Sequence, residues 1–176
     1  TDWPEIFRIL NLVRDEIKEN LPYKVIHLEG CEADDVIGAL TLEAQEFGKG
    51  EPIKIISSDK DFIQLHRFND VSQFSPMQKK EVTDKNPHIY RFIPNVKSGD
   101  NVFVDSVRQT PVSAKQLEEW LDNAENLKDV LSEELYRNYQ RNKTLIDLGE
   151  IPKPVYEKII NTFDNTKKPM QMKVLN

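Results

Sequence analysis

The chain carries a single cysteine, Cys31, in 176 residues, which excludes an intrachain disulfide and fits a reducing cytosol. It has no apolar run near the ~18 residues needed to span a bilayer. The longest candidates, such as Ile53 to Ile56, are interrupted by charge. The opening Thr1-Asp2-Trp3-Pro4-Glu5 has neither the basic start nor the apolar stretch of a signal peptide. No membrane association is expected, and the cytoplasm is the expected location. The first residue is not Met, which is compatible with processing, trimming or an N-terminal part outside this sequence. There is no internal repeat, no low-complexity tract, and no His/Cys cluster that would suit zinc.

A basic excess is also missing. The formal net charge is −6, which argues weakly against a nucleic-acid binder. The distribution is more informative than the sum. Acids cluster around Glu29–Asp35 and again at Asp59 and Asp61, whereas Lys79, Lys80, Lys85, Arg91 and Lys97 gather in a later stretch. An acidic pit beside a basic strip is what a metal-dependent nuclease shows. Two unrelated solvated faces would look the same, and charge alone favours them.

What is present supports an α/β protein. At 38% hydrophobic and 31% charged, the chain can bury one core under a well-solvated surface. Trp3, Ile6, Phe7, Leu10, Val13 and Ile17 recur at three- and four-residue steps, which predicts a helix over Asp2–Asn20 with its apolar stripe packed. Val25, Ile26 and Leu28 predict a short strand over Tyr23–Leu28. Val36, Ile37, Leu40, Ala44 and Phe47 predict a helix over Ala33–Phe47, closed by Gly48 and Gly50. Ile53–Ile56 reads as a strand buried on both faces. Together these three elements would make a βαβ unit with a right-handed crossover. A helical turn is expected at Asp61–His66, and a hairpin from Val71–Ser75 and Lys79–Val82 about Pro76-Met77. Asp84–Gln109 is rich in turn residues. Helices are expected at Ser113–Asn123, with Leu117, Trp120 and Leu121 packed, at Ser132–Leu145, and at Pro154–Phe163; Lys167–Asn176 reads as a tail.

Two acidic motifs stand at strand ends. Glu32-Ala33-Asp34-Asp35 follows the first predicted strand, and Ser57-Ser58-Asp59-Lys60-Asp61 follows the second. Sites in open parallel sheets form at the carboxyl ends of strands, and neighbouring strands lie only about 4.8 Å apart. Gathering carboxylates is unfavourable, since two unit charges at about 4 Å repel by roughly 4 kcal/mol at an effective dielectric of about 20. Hard divalent cations relieve this, and an all-carboxylate set selects Mg²⁺ or Mn²⁺ over zinc. Two such ions ~3.5–4 Å apart can activate water and stabilise a leaving phosphodiester oxygen. In extended chain, Asp59 and Asp61 would point the same way, one towards each ion. A plainer account exists for each motif. Acids in a first helical turn stabilise it by ~0.3–1 kcal/mol each, and Asp59 would serve as an N-cap among turn serines. The pairing of the two motifs, one crossover apart, favours the metal site.

Gly30-Cys31-Glu32-Ala33-Asp34-Asp35-Val36-Ile37-Gly38, followed by Ile55-Ile56-Ser57-Ser58-Asp59-Lys60-Asp61-Phe62-Ile63-Gln64-Leu65, resembles the paired signature of the 5′ nucleases. That family includes flap endonucleases, the 5′ nuclease domain of bacterial DNA polymerase I, and phage enzymes. Gln64-Leu65-His66, Phe74-Ser75-Pro76-Met77, Leu145-Ile146-Asp147 and Ile151-Pro152 resemble the phage ribonuclease H branch. The resemblance implies a PIN-like parallel-sheet nuclease domain over residues 1–84 and a helical, helix–three-turn–helix type DNA-binding region over 85–176. It implies Mg²⁺-dependent 5′→3′ exonuclease, flap endonuclease and ribonuclease H activity that removes RNA primers and flaps during replication. It further implies two Mg²⁺ ions, replaceable by Mn²⁺, in a monomer whose partners include a single-stranded-DNA-binding protein or sliding clamp. Asp34 and Asp59 correspond to ligands of the first ion, with Glu32 assisting through water, and Asp61 to a ligand near the second; Asp35 is a further acid. Lys60, Lys79, Lys80, Lys85, Arg91 and Lys97 are candidate phosphate contacts. The family's first strands, each bearing an Asp, and its basic arch have no counterpart here. Ile93-Pro94-Asn95-Val96 matches only the end of the Gly-Asp-x-x-Asp-Gly-Ile-Pro element, for which Gly99-Asp100-Asn101 is a weaker match, so the chain reads as incomplete. A PIN-type ribonuclease and a non-catalytic nucleic-acid-binding module on the same fold are the alternative readings. His27, His66 and His88 are isolated and receive no catalytic role.

Overall fold

The computed structural model describes residues 1–48, 50–84 and 126–167, with the isolated positions Pro87, Lys115, Glu119, Trp120, Asp122 and Asn123. Helix α1 spans Trp3–Asn20. The Asp2 carboxylate accepts the Glu5 N–H, and Pro4 stands in the first turn, where a missing N–H does no harm. Its apolar stripe departs from expectation. Trp3, Phe7 and Leu10 are 60%, 58% and 57% exposed, and no residue of α1 is buried. Near its far end, Arg14, Asp15 and Lys18 line a small cavity with Val25, His27, Thr162 and Thr166.

Residues 24–28 form no strand. A strand is defined by its ladder, and among the described residues nothing pairs with this segment, despite its apolar side chains. It is pinned instead by Lys24, whose ammonium donates to the Phe163 carbonyl and lies 4.0 Å from the centre of the Phe163 ring. The predicted strand–helix–strand unit therefore does not form here. Helix α2, Ala33–Leu42, continues into a wider π-helical turn at Glu43–Phe47. Gly48 closes it because a Cβ there would stand 2.6 Å from the Ala44 carbonyl oxygen.

The sheet has three strands in the order β1 (Ile53–Ile56), β2 (Val71–Ser75), β3 (Lys80–Val82). Strands β1 and β2 are parallel, with Ile55 opposite Gln73, and the crossover carries a 3₁₀ helix at Asp61–Arg67. Strands β2 and β3 form the expected antiparallel hairpin. As an edge strand of this sheet, β1 buries one face only: Ile55 is 5% exposed but Ile56 is 62% exposed. This corrects the two-sided burial expected for it.

In the helical half, α3 spans Leu127–Val130, α4 Glu133–Ile146 and α5 Lys153–Asn165. Ser132 caps α4 by accepting the Leu135 N–H. Helix α5 packs on α2, and the Tyr156 hydroxyl donates to Glu43 at 2.7 Å. The main core joins Ile55, Phe62, Leu65 and Val71 to Leu148 from the α4–α5 connection. A second cluster holds Trp120, Leu127 and Leu131. Most of the helix expected at Ser113–Asn123, including Leu117 and Leu121, lies outside the described residues, as do Lys85, Arg91, Lys97 and Gly99–Asn101. Among the described residues no helix is long and apolar enough to cross a membrane.

Candidate acidic site

Two segments build the site. The first is the start of α2. Asp35 accepts the backbone N–H of Glu32 at 3.0 Å, a reciprocal cap that turns the chain into the helix and fixes Asp34 beside it. The second is the loop leaving β1. Ser57 Oγ accepts the Asp59 N–H at 3.1 Å, and Asp59 Oδ1 accepts the Asp61 N–H at 3.0 Å. Lys60, between the acids, has right-handed helical backbone angles rather than extended ones. The expected same-side alternation of Asp59 and Asp61 therefore does not apply. An Asp side chain that captures the N–H two residues on makes a turn, and this one opens the 3₁₀ helix.

Strand β2 holds the loop from the opposite side. The Gln73 amide donates to the Ser57 carbonyl at 2.9 Å and to the Asp59 carbonyl at 2.6 Å. The Ser58 and Ser75 hydroxyls meet at 2.9 Å, and Ser58 Oγ also accepts the Met77 N–H. From the sequence, neither Gln73 nor Ser75 receives a role in the site. Their signal was there: Val71, Gln73 and Ser75 alternate along β2 and all face inward.

The two segments come together electrostatically. Asp34 is partly buried, and its carboxyl is pushed up to about 6, first by desolvation and then by the negative charges of Asp59, Asp61, Glu32 and Asp35. All five predicted acids thus lie within charge range of one point. They are not drawn into coordination range: among the described residues no three His, Cys, Asp or Glu side chains are grouped tightly enough to hold a metal ion. Asp35 and Asp59 each already accept a backbone N–H. In chemistry the set still fits a hard divalent cation, since every donor is a carboxylate oxygen. Of the candidate phosphate contacts, Lys60, Lys79 and Lys80 are exposed, the last two at the β2–β3 turn.

Residues 3–92 match the family described as 5′-3′ exonuclease, N-terminal resolvase-like domain, and residues 76–176 match the family described as T4 RNase H, C terminal. Ribonuclease H of Enterobacteria phage T4 is 34% identical over 191 residues, which takes in 98% of this chain and 61% of the phage protein. A 5′-3′ exonuclease of Buchnera aphidicola is 35% identical over 74 residues, 40% of this chain and 25% of its own. The chain thus spans about three fifths of the T4 protein and a quarter of the Buchnera one. Among solved structures, a point mutant of the T5 5′-exonuclease aligns with a TM-score of 0.59 at 17% identity, covering 90% of this chain and 74% of that one. The T5 D15 protein, co-crystallised with metal ions, gives 0.60 at 18%, covering 91% and 68%. These last two show the fold. With the two family matches spanning nearly the whole chain, the protein belongs to the 5′-3′ exonuclease family and has a C-terminal region of the T4 ribonuclease H type.

Proposed function

We propose that the protein is a metal-dependent phosphodiester hydrolase acting at 5′ ends, as a 5′→3′ exonuclease and flap endonuclease that also degrades the RNA of RNA–DNA hybrids. Removal of primers and flaps during replication is its proposed role. The observation that carries this reading is the convergence of Asp34 with Asp59 and Asp61: burial first, and then the charges of these acids, push the Asp34 carboxyl up to about 6. Asp35 and Asp59 also serve the backbone, as cap and turn, but gathering these acids around a partly buried Asp34 costs stability unless a cation neutralises them. The reading divides the labour between residues 1–84, which bear the acids, and 85–176, which bind duplex.

In this reading Asp34 and Asp59 hold one divalent ion with help from Glu32, and Asp61 lies towards a second. Bound Mg²⁺ or Mn²⁺ supplies an acidified water and neutralises charge on the leaving oxygen. The chain's own contribution is to fix the carboxylates: the α2 cap orients Asp34, and the turn of Ser57 to Asp61 orients the other pair. In this reading the exposed Lys60, Lys79 and Lys80 contact phosphates.

The test is cleavage of a labelled 5′-flap DNA and an RNA-primed hybrid by the full chain and by Asp59→Ala and Asp61→Ala. The expected result is Mg²⁺-dependent cutting that each substitution abolishes while substrate binding persists. Undiminished cleavage by the variants overturns the reading. The wide spacing of the acids favours one competing reading, a non-catalytic nucleic-acid-binding module on the same fold. Titration calorimetry separates the two, because an inert module takes up no Mn²⁺ specifically at millimolar levels.

A further inference from the structure

Gln73 is fully buried on β2, and both hydrogens of its amide nitrogen are used, one on the Ser57 carbonyl and one on the Asp59 carbonyl. An amide is planar, so whatever holds its oxygen sets the direction of its N–H bonds. Gln73 Oε1 is buried and makes no well-formed hydrogen bond. His66 Nε2, in the 3₁₀ helix that Asp61 begins, is buried and unbonded in the same way, and the two side chains interact with each other. Each is the complement of the other: a ring N–H and an amide oxygen. Turning the amide over would set its oxygen against two carbonyl oxygens, so the network admits one orientation. Burial lowers the titration of His66, while Gln73 and Asp84 act the other way.

We infer that Gln73, held by His66, is the positioning residue of the acidic loop: the His66 ring N–H fixes the Gln73 amide, and that amide fixes the Ser57–Asp59 backbone from which Asp59 and Asp61 reach a cation. Neither side chain touches the ion or the reacting atoms. The inference rests on the metal-dependent reading above, but its structural half stands independently. Groups that orient ligands in this way typically change metal affinity by about 10–100-fold when removed.

The experiment compares the full chain with His66→Leu, which loses the N–H, and His66→Gln, which restores a donor of similar reach. Three quantities are measured: the unfolding midpoint, amide hydrogen exchange at Asp59 and Asp61, and Mn²⁺ affinity by calorimetry. His66→Leu is expected to fold, to exchange the Asp59 and Asp61 amides about tenfold faster, and to bind Mn²⁺ about 10–100-fold more weakly. His66→Gln is expected to recover both. A folded His66→Leu with unchanged exchange and unchanged Mn²⁺ affinity overturns the inference. Faster exchange in a protein whose parent takes up no Mn²⁺ keeps the positioning link and removes the metal-dependent reading. If His66→Leu does not fold, Gln73→Met, equal in reach and without donors, breaks the same link and is judged by the same outcomes.

Discussion

Gln64 and Leu148 join the acidic half of the molecule to the helical half through a hydrogen bond that water does not reach. The Gln64 Oε1 accepts the Leu148 N–H at 2.9 Å, and its Nε2 donates to the Ile146 carbonyl at 3.1 Å, so one buried side chain grips both flanks of Asp147. Phe62 and Leu65, on either side of Gln64 in the 3₁₀ helix, pack in the same core as Leu148. Replacing Gln64 by Leu strands a buried N–H and a part-buried carbonyl. Each unsatisfied group costs ~1–3 kcal/mol, so we expect urea unfolding to show a loss of about 2–4 kcal/mol. A loss below about 0.5 kcal/mol, within the range of ordinary surface changes, would show that this link is not what holds the two halves together.

Gly38 tests the same seam by steric means. A Cβ added there would lie 3.0 Å from Leu148 Cβ, with both Leu148 methyl groups within 3.2 Å. Overpacking typically costs ~1–3 kcal/mol, against the roughly 1 kcal/mol that alanine brings to a helix interior. Gly38→Ala is expected to lower the unfolding midpoint. A raised midpoint would mean that Leu148 moves aside freely.

Asp34 makes stability depend on pH in a defined direction. Its carboxyl titrates near 6 in the fold, above the usual carboxylate range. The native state therefore binds the proton more tightly than the unfolded chain, and stability falls as pH rises from about 4 to about 6. Above that window the folded protein carries the full penalty of an ionised Asp34. Asp34→Asn should then be more stable than the parent at pH 7.5, by on the order of 1 kcal/mol once solvent screening is allowed for. The two should converge near pH 4. Adding Mn²⁺ at pH 7.5 should stabilise the parent and leave Asp34→Asn nearly unmoved. Thermal melts at the two pH values, with and without the ion, check all three expectations, and a variant less stable at pH 7.5 contradicts the charge argument.

The parts of the fold that could be read from the chain are those whose determinants are local. Ile53–Ile56 announces a strand by its apolar run, the β2–β3 hairpin by its turn residues, and α4 by Ser132 as its cap. The acids were legible by residue type and clustering, Glu32–Asp35 at the start of α2 and Asp59 and Asp61 just after β1, although the strand expected before the first group does not form. What was not legible depends on partners distant in sequence. Val25, Ile26 and Leu28 look like a strand, but a ladder needs a neighbour that no local pattern supplies. Gln64 and Gln73 look like surface residues, and both are 0% exposed because backbone groups 82 and 16 residues away need their amides. Asp59 looked like half of an extended pair, yet its side chain closes a turn onto Asp61.

Lys79 permits charge and backbone effects to be separated at the proposed phosphate strip. It has φ of 53°, in the left-handed region that favours glycine. Lys79→Gly removes the charge and relieves the backbone, so stability should hold or rise while nucleic-acid affinity falls. If Lys79 and Lys80 each neutralise one phosphate, removing both should reduce the slope of log K against log salt by about 2 for duplex DNA. Fluorescence anisotropy across a salt series, in Ca²⁺ to prevent cutting, measures this. An unchanged slope would return both lysines to the status of a solvated turn.

The two tryptophans report opposite environments and so test the largest departure from the expected packing. Trp3 is 60% exposed at the head of α1, and its ring lies 6.1 Å from that of Phe7 in a tilted pair on the same open face. Trp120 is 8% exposed against Leu127 and Leu131. With Trp120 replaced by Phe, the remaining emission should be red-shifted and readily quenched by acrylamide; with Trp3 replaced by Phe, it should be blue-shifted and protected. An apolar face of this kind also promotes association. Phe7→Glu combined with Leu10→Glu, both at exposed positions, should therefore leave the unfolding midpoint within about 0.5 kcal/mol of the parent while reducing concentration-dependent light scattering. A protected Trp3 at all protein concentrations, together with marked destabilisation by the double substitution, would show that the α1 stripe is covered within the single chain.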